Sequence, residues 1–430
     1  MEVQIVEEKV LKQLLYIFSL YLGILFLNIG GFFTSFYAVN LFYIIVPISV
    51  LLSLFVGRYS WYIPSSSVYK LFWGFIFVYL IVSLASFFLV SIDENYPLIY
   101  NLRTFGYSII NVYIFYRLSI LYRKYGKFEL LLVLLGRISF LAMLLTALFP
   151  LFKIVPIDYI KASDSLMTLA HSYNIRLTGF YLNPNLTGYV ANISLVFAMS
   201  LIIYKQRINL FAVSLFLVSI YISIRSFSKT AIIVTLILTM LFFLFLLLKK
   251  SFWLSSLYFQ RRFLVFSALS LGLFLLFKSA SWYQSLDEGQ KQRIDQVFSI
   301  VYEAEINEKT TTHRSAIWDV GLNKIRNSPI IGNGFGSFDY FPEKGQGIHN
   351  MYLKIFGETG ILIGLYYLFL HVLIFFTVFS EAKSHLKFLG LGLVMATMIF
   401  NFSNHNAFQT PIISMVYGLL LSFSNHHDKY

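Results

Sequence analysis

About twelve apolar stretches, most of them close to twenty residues long, run through this chain and constrain its fold more than any other feature. They lie at residues 14–30, 36–56, 69–91, 105–122, 129–150, 184–204, 208–224, 230–248, 263–281, 352–379, 386–402 and 410–424. A bilayer core about 30 Å thick takes about 20 apolar residues for each helical crossing. With 58% hydrophobic and only 12% charged residues, a water-soluble fold could not bury this much apolar surface. The sequence therefore predicts an all-α polytopic membrane protein with about twelve transmembrane helices.

The formal net charge of +13 could suggest a nucleic-acid partner, but the basic residues gather in alternate short loops. Examples are Lys9 and Lys12, Arg123, Lys124 and Lys127, Lys205 and Arg207, and Lys383 and Lys387. Such alternation is typical of membrane topology, because cytoplasmic loops are enriched in Lys and Arg. We therefore expect no nucleic-acid partner, both termini in the cytoplasm, and the remaining loops on the outer face.

One connection, residues 282–351, is far longer than the others and falls between the ninth and tenth predicted spans. Loops of this size are usually functional or disordered. We predict a short helix from His313 to Arg326, capped by Thr311 or Thr312, because its apolar residues recur at helical spacing. The prediction is thus a single integral membrane domain, residues 1–430, with one long extracytoplasmic loop that contains short helices. The chain has no cysteine, so disulfides and thiolate chemistry are excluded.

Three groups of residues on the predicted outer face could carry chemistry. The first is Arg176-Leu-Thr-Gly followed by Asn183-Pro-Asn185, and the second is Ser228-Lys229-Thr230-Ala231. The third begins with Arg314 and Trp318, continues through Gly332, Gly334 and Gly336, and ends at His349-Asn350-Met351-Tyr352. Together they resemble the O-antigen polymerase and ligase superfamily, which includes Wzy-type polysaccharide polymerases.

The resemblance implies an enzyme that moves a glycan from an undecaprenyl pyrophosphate carrier to an acceptor sugar hydroxyl. The reaction would take place on the outer face of the bacterial cytoplasmic membrane, without a metal or other cofactor. The resemblance also implies membrane lipid as a partner, together with a chain-length regulator and a flippase.

Specific roles can be assigned to the matching residues. A pyrophosphate leaving group needs cations to hold its charge, and Arg176, Arg225 and Lys229 are the candidates. Lys229 stands where the family usually has Arg, so either Lys229 binds more weakly or Arg225 takes its place. Arg314 and His349 are the candidate catalytic residues, with His349 as general base or as the group that orients the acceptor. The expected supporting residues are Asn183, Asn185, Asn350 and Tyr352.

Each residue also has an ordinary structural interpretation. His349 could be a hydrated polar residue before a membrane helix, and Arg314 could stack on Trp318. Arg176 could neutralise lipid phosphate, and Asn183 and Asn185 could cap the sixth predicted membrane helix.

Three functions remain open from the sequence. A polymerase is our first expectation, and a ligase that transfers glycan to a lipid A core would share its carrier and leaving group. A flippase or transporter is the alternative from another class, because twelve spans is also a common transporter count. Transporters often have two matching halves and charged sites at the membrane midplane. This chain instead has one long outer loop late in the sequence.

Overall fold

The structure is a computed structural model that describes residues 2–37, 40–90, 98–148, 176–181, 183–205, 209–248, 281–300, 314–341, 347–404 and 407–425. Long helices dominate this part of the chain. In order they are α1 Glu2–Phe26, α2 Ile29–Tyr37, α3 Phe42–Ser60, α4 Ser67–Val90, α5 Leu98–Lys124, α6 Phe128–Leu148, α7 Pro184–Lys205, α8 Leu210–Arg225, α9 Lys229–Leu248, α10 Ser281–Gln284, α11 Glu288–Phe298, α12 Arg314–Asn327, α13 Met351–Thr359, α14 Ile361–Phe379, α15 Ser384–Asn401 and α16 Pro411–Leu421. The predicted all-helical class is confirmed for the described residues.

Seven of the described helices, α3, α4, α6, α7, α9, α14 and α15, contain a segment long and apolar enough to cross a membrane. Shorter apolar helices add Leu11–Phe26, Leu210–Arg225 and Pro411–Ser424. The predicted span at 263–281 lies almost wholly outside the described residues, as do His313 and its proposed caps Thr311 and Thr312. An integral membrane protein is therefore confirmed, whereas the count of twelve spans stays a prediction.

The predicted span at 352–379 is wrong as a single helix, because the structure divides it into α13 and α14. The break falls at Gly360, whose φ of +86° is a conformation that L side chains rarely adopt. A Cβ at this position would lie 2.0 Å from the carbonyl oxygen of Ile330. The long loop fills the break, since the backbone N–H of Ile361 donates to the Pro329 carbonyl at 2.8 Å. A second difference is α2, a short helix that the sequence did not indicate.

Helix α7 is the centre of the bundle and packs against α6, α8, α9 and α15. Its residues Thr187–Ile203 are all buried. Small residues allow the close approach, because a Cβ at Gly188 would lie 2.3 Å from the Cβ of Ala231 on α9. Membrane helices are held together mainly by such close packing and by hydrogen bonds between helices. The start of α7 is therefore a fixed position against which α9 and α15 are aligned.

The loops separate into two groups at opposite ends of the bundle. At one end, here called the basic end, Arg123 forms an ion pair with Glu381 at 2.8 Å, and Asn425 donates to the Pro64 carbonyl at 3.2 Å. At the other, here called the loop end, the Phe335 backbone N–H donates to the Ser83 carbonyl at 2.8 Å. Which side of the membrane each end faces stays a prediction.

Residues 332–339 of the long loop are clamped to the bundle by a buried polar cluster on α13. Glu358 is fully buried and accepts from Tyr79 Oη on α4 at 2.5 Å and from the Gly336 backbone N–H at 2.8 Å. Lys354 forms an ion pair with Asp339 and lies 3.7 Å from Glu358. Buried charges are tolerated only when they are paired in this way. The cluster joins the long loop, α4 and α13 into one unit.

Glycines permit the close contact between this loop and the bundle. Gly334 has a φ of +90°, and a Cβ there would lie 2.4 Å from the Phe87 backbone. We expect Gly334→Ala to destabilise the protein, because the backbone conformation alone costs roughly 1–2 kcal/mol before the clash is added. The measurement is thermal unfolding of the detergent-purified protein.

Gly289→Ala is the matched control, since a Cβ at Gly289 would meet only Asp287 Oδ1 at an ordinary 3.4 Å. Its unfolding midpoint should stay unchanged or rise slightly, because alanine favours the helix. Equal midpoints for the wild type and Gly334→Ala would contradict the proposed packing.

Candidate active site

A cavity of about 340 Å³ lies at the loop end and brings together most of the polar residues that the sequence singled out. Its basic side is formed by Arg176, Lys229, Arg293, Arg314 and His349. The remaining lining residues are Asn185, Thr230, Trp318 and Ser403, with Ile233, Ile300, Ile399 and Phe402 forming an apolar wall. The cavity therefore joins a strongly cationic surface to an apolar one.

Arg176 is anchored to the turn between α8 and α9. Its Nε donates to the Ser226 carbonyl at 3.1 Å, and its Nη2 lies 3.4 Å from Asn185 Oδ1 on α7. The next residue is held as well, because the Leu177 backbone N–H donates to the Arg225 carbonyl at 2.9 Å. These contacts point the guanidinium into the space between α7 and α9.

Lys229 and Arg293 come from different parts of the chain and meet on the same side of the cavity. Lys229 is the first residue of α9, and its Nζ donates to Gln296 Oε1 on α11 at 3.0 Å. Arg293 lies one turn before Gln296 on α11, so both side chains share one helix face.

His349 is held in an uncommon backbone conformation just before α13. Its φ is +47°, which is rare for a residue other than glycine and typical of functional sites. The preceding Ile348 is fixed from two sides: its N–H donates to the Phe338 carbonyl at 3.1 Å, and its carbonyl accepts from Trp318 Nε1 at 3.1 Å. The Trp318 indole thus ties α12, which begins at Arg314, to the segment that carries His349.

Four helices begin at this cavity. Lys229 and Arg314 are the first residues of α9 and α12, Asn185 is the second residue of α7, and His349 lies two residues before α13. Helix N-termini carry unpaired N–H groups and the positive end of the helix dipole, so each favours an anion. The backbone and the side chains therefore contribute charge of the same sign.

The positive charges that line the cavity destabilise one another. Burial and the charges of Arg293 and Arg314 lower the pKa of Arg176, and burial together with Arg293 lowers the pKa of Arg314. A guanidinium starts from a pKa so high that it stays charged at neutral pH. No carboxylate occurs among the described residues that line the cavity. The arrangement is suited to an anion with more than one negative charge.

His349 is neutral at physiological pH in this environment. Burial, and then the positive charge of Arg314, lower the pKa of its imidazole to about 4. A neutral imidazole can accept a proton or a hydrogen bond from a hydroxyl group. The same side chain could therefore orient an acceptor hydroxyl or remove its proton.

Four residues named from the sequence do not line the cavity. Asn183 and Asn350 are helix caps, accepting from the backbone N–H groups of Asn185 at 2.8 Å and Leu353 at 3.1 Å. Tyr352 donates to the Met398 carbonyl at 3.2 Å, and the Arg225 guanidinium lies 6.0 Å from the Phe227 ring centroid. Asn185 does line the cavity, and so do Arg176, Lys229, Arg314 and His349.

Arg293 lines the cavity, although no sequence motif singled it out. Its spacing is a signal of this position. Gln290 lies three residues before Arg293 and Val297 four residues after it, and these two are the buried residues of α11. Among the described residues, no three His, Cys, Asp or Glu side chains come close enough to share a metal ion.

Comparison with known proteins agrees with the resemblance seen in the sequence. Residues 212–368 match the O-antigen ligase family. The matched region covers less than half of the chain, and it contains Lys229, Arg293, Arg314 and His349 but not Arg176. No curated protein matches the chain. Over this region the chain is similar to the O-antigen ligase family, in line with the resemblance of its motifs to the O-antigen polymerase and ligase superfamily.

Proposed function

We propose that the chain is a polysaccharide polymerase that transfers glycan from undecaprenyl pyrophosphate to an acceptor sugar hydroxyl. The observation that carries this proposal is the cavity in which four cations and four helix N-termini surround a neutral His349. A pyrophosphate has the several negative charges that such a cluster can bind, and a sugar hydroxyl can donate its proton to a neutral imidazole.

The loop end is proposed to face the exterior of the bacterial cytoplasmic membrane. Arg123, Lys124 and Lys383 lie at the basic end, and the positive-inside rule assigns such residues to the cytoplasm. The apolar wall of the cavity, which includes the half-exposed Phe402, would face the isoprenoid part of the carrier.

The proposed reaction is a single displacement at the anomeric carbon, with inversion. The acceptor oxygen bonds to this carbon as the bond from the carbon to the pyrophosphate oxygen breaks. The hydroxyl proton passes to the His349 imidazole, and the electron pair of the broken bond leaves with the pyrophosphate. Arg176, Lys229 and Arg314 stabilise the charge that develops on the leaving group, because buried donors aimed at a growing charge act strongly in a low-dielectric site.

Binding of the donor would prepare His349 for its role. The negative charges of the pyrophosphate offset the Arg314 charge, which is one of the two causes of the low pKa of His349. A higher pKa makes the imidazole a stronger base. The acceptor would thus be activated only once the donor is in place.

A ligase that transfers glycan to a lipid A core is the second candidate, favoured by the description of the matched family. It would use the same donor and the same cavity. The two functions differ only in the acceptor and are distinguished by which acceptor is consumed.

We expect the purified wild type, reconstituted with a lipid-linked repeat unit, to produce a ladder of glycans on a gel. His349→Ala should produce none, because the hydroxyl proton then has no acceptor. His385→Ala is the matched control: His385 lies at the basic end, 3.3 Å from Glu129, and its loss should leave the ladder intact.

The outcomes separate the candidate functions. Transfer to a lipid A core without any ladder would replace the polymerase with the ligase. Absence of transfer to either acceptor with a verified native donor would contradict both. A full ladder from His349→Ala would remove His349 from the mechanism.

The pH dependence of kcat/KM provides an independent test of the site's charge, because it reports the free enzyme. A base whose pKa is lowered to about 4 stays unprotonated down to that pH, so kcat/KM should hold from neutrality until the pH nears 4. Arg314→Gln removes one cause of the low pKa of His349. The acid limb of the kcat/KM profile should therefore move to higher pH, even though the overall rate falls.

Arg326→Gln is the control for this experiment, since Arg326 is an exposed residue in the last turn of the same helix, α12. Its profile should match that of the wild type. An acid limb near pH 6.5 in the wild-type kcat/KM profile, unchanged in Arg314→Gln, would contradict the proposed electrostatics.

A further inference from the structure

Helix α11 is amphipathic, and Arg293 lies on its buried face. Gln290 and Val297 are the buried residues of this helix, at 7% and 3% exposure, and with Arg293 they follow the i, i+3, i+7 spacing of one helix face. Glu288 and Gln292 are exposed on the other side. A cation on the buried face of an extramembrane helix is costly unless it has a partner.

The described part of the chain provides no such partner for Arg293. Among the described residues, no oxygen accepts a hydrogen bond from Arg293, and its guanidinium faces the cavity. By contrast, Arg176 is engaged by the Ser226 carbonyl and Asn185, and Lys229 by Gln296. Arg293 thus retains its fork of donors for a ligand.

Arg293 also occupies a central position in the charge cluster. Its charge lowers the pKa of both Arg176 and Arg314, which come from different segments of the chain. It lies one helical turn from Gln296, the residue bound by Lys229. An anion with two phosphoryl groups that binds Arg176 and Arg314 in this cavity would therefore also lie near Arg293.

We infer that Arg293 is a further pyrophosphate-binding residue, which grips the diphosphate of the donor through its guanidinium fork. The inference rests on the proposed function and adds a residue and a selectivity to it. A guanidinium can donate two parallel hydrogen bonds to phosphate oxygens, whereas the Lys229 ammonium is a point charge. Arg293 would then favour a diphosphate over a monophosphate, because two linked phosphoryl groups can contact more of the cations than one group can.

The test measures binding of inorganic pyrophosphate and inorganic phosphate to the full chain in nanodiscs by calorimetry at one fixed ionic strength. The wild type should bind pyrophosphate more tightly than phosphate. Arg293→Ala should weaken pyrophosphate binding by about tenfold or more, the size of one lost charge-assisted hydrogen bond, and phosphate binding by much less. Arg293→Lys should fall between the two, because it keeps the charge and loses the fork.

Lys291→Ala is the matched control, since Lys291 is a basic residue on the same helix that does not line the cavity. It should bind pyrophosphate as the wild type does. Equal pyrophosphate affinity for Arg293→Ala and the wild type would overturn the inference. An equal loss in Lys291→Ala would do the same, because it would reduce the effect to net surface charge.

The failure of this inference can be told apart from the failure of the proposed function. In one outcome, the wild type and Arg293→Ala both make glycan and bind pyrophosphate equally well. That outcome would reject the role of Arg293 and leave the proposed transferase function standing. Alternatively, Arg293→Ala could lose pyrophosphate affinity selectively while the wild type transfers glycan to no acceptor. This outcome would support the binding site and reject the transferase. Equal unfolding midpoints for the variants exclude misfolding as the cause.

Discussion

The close approach of like charges at the loop end is the constraint on which the site depends. Arg176, Arg293 and Arg314 repel one another while partly buried, and the described lining of the cavity contains no carboxylate to neutralise them. A rigid framework is needed to hold these arginines together against their mutual repulsion. That framework is the buried α7 with α9 beside it, together with the clamp of Glu358 that fixes the long loop.

The two halves of the site are fixed by different forces. On the membrane side, close helix packing sets the positions of Arg176 and Lys229, through residues as small as Gly188. On the loop side, buried ion pairs and the Trp318 hydrogen bond set the positions of Arg314 and His349. The glycines of the third motif serve this second task, because Gly332 and Gly334 allow backbone to lie directly on backbone. Much of that motif therefore builds the support, and only Arg314, Trp318 and His349 line the cavity.

The sequence alone predicted the helical membrane class, since long apolar runs leave few other folds open. Its motifs also singled out Arg176, Lys229, Arg314 and His349, all of which line the cavity. Arg293 was missed, since one arginine in a polar helix looks like solvated surface until the packing face is known. The break at Gly360 was hidden because the mostly apolar α13 leads directly into the apolar α14 and the residue that contacts Gly360, Ile330, lies thirty positions earlier. The placement of Arg225 depends on the tight turn after α8, which no periodicity reveals.

The cavity draws its lining from segments scattered between residues 176 and 403. A chain that enters the membrane from its N-terminus therefore presents Arg176 and Lys229 long before α15 closes the apolar wall. Until that late step, the early arginine and lysine face neither their final neighbours nor an enclosed space. The growing protein thus has no complete cavity until α15 has joined the bundle.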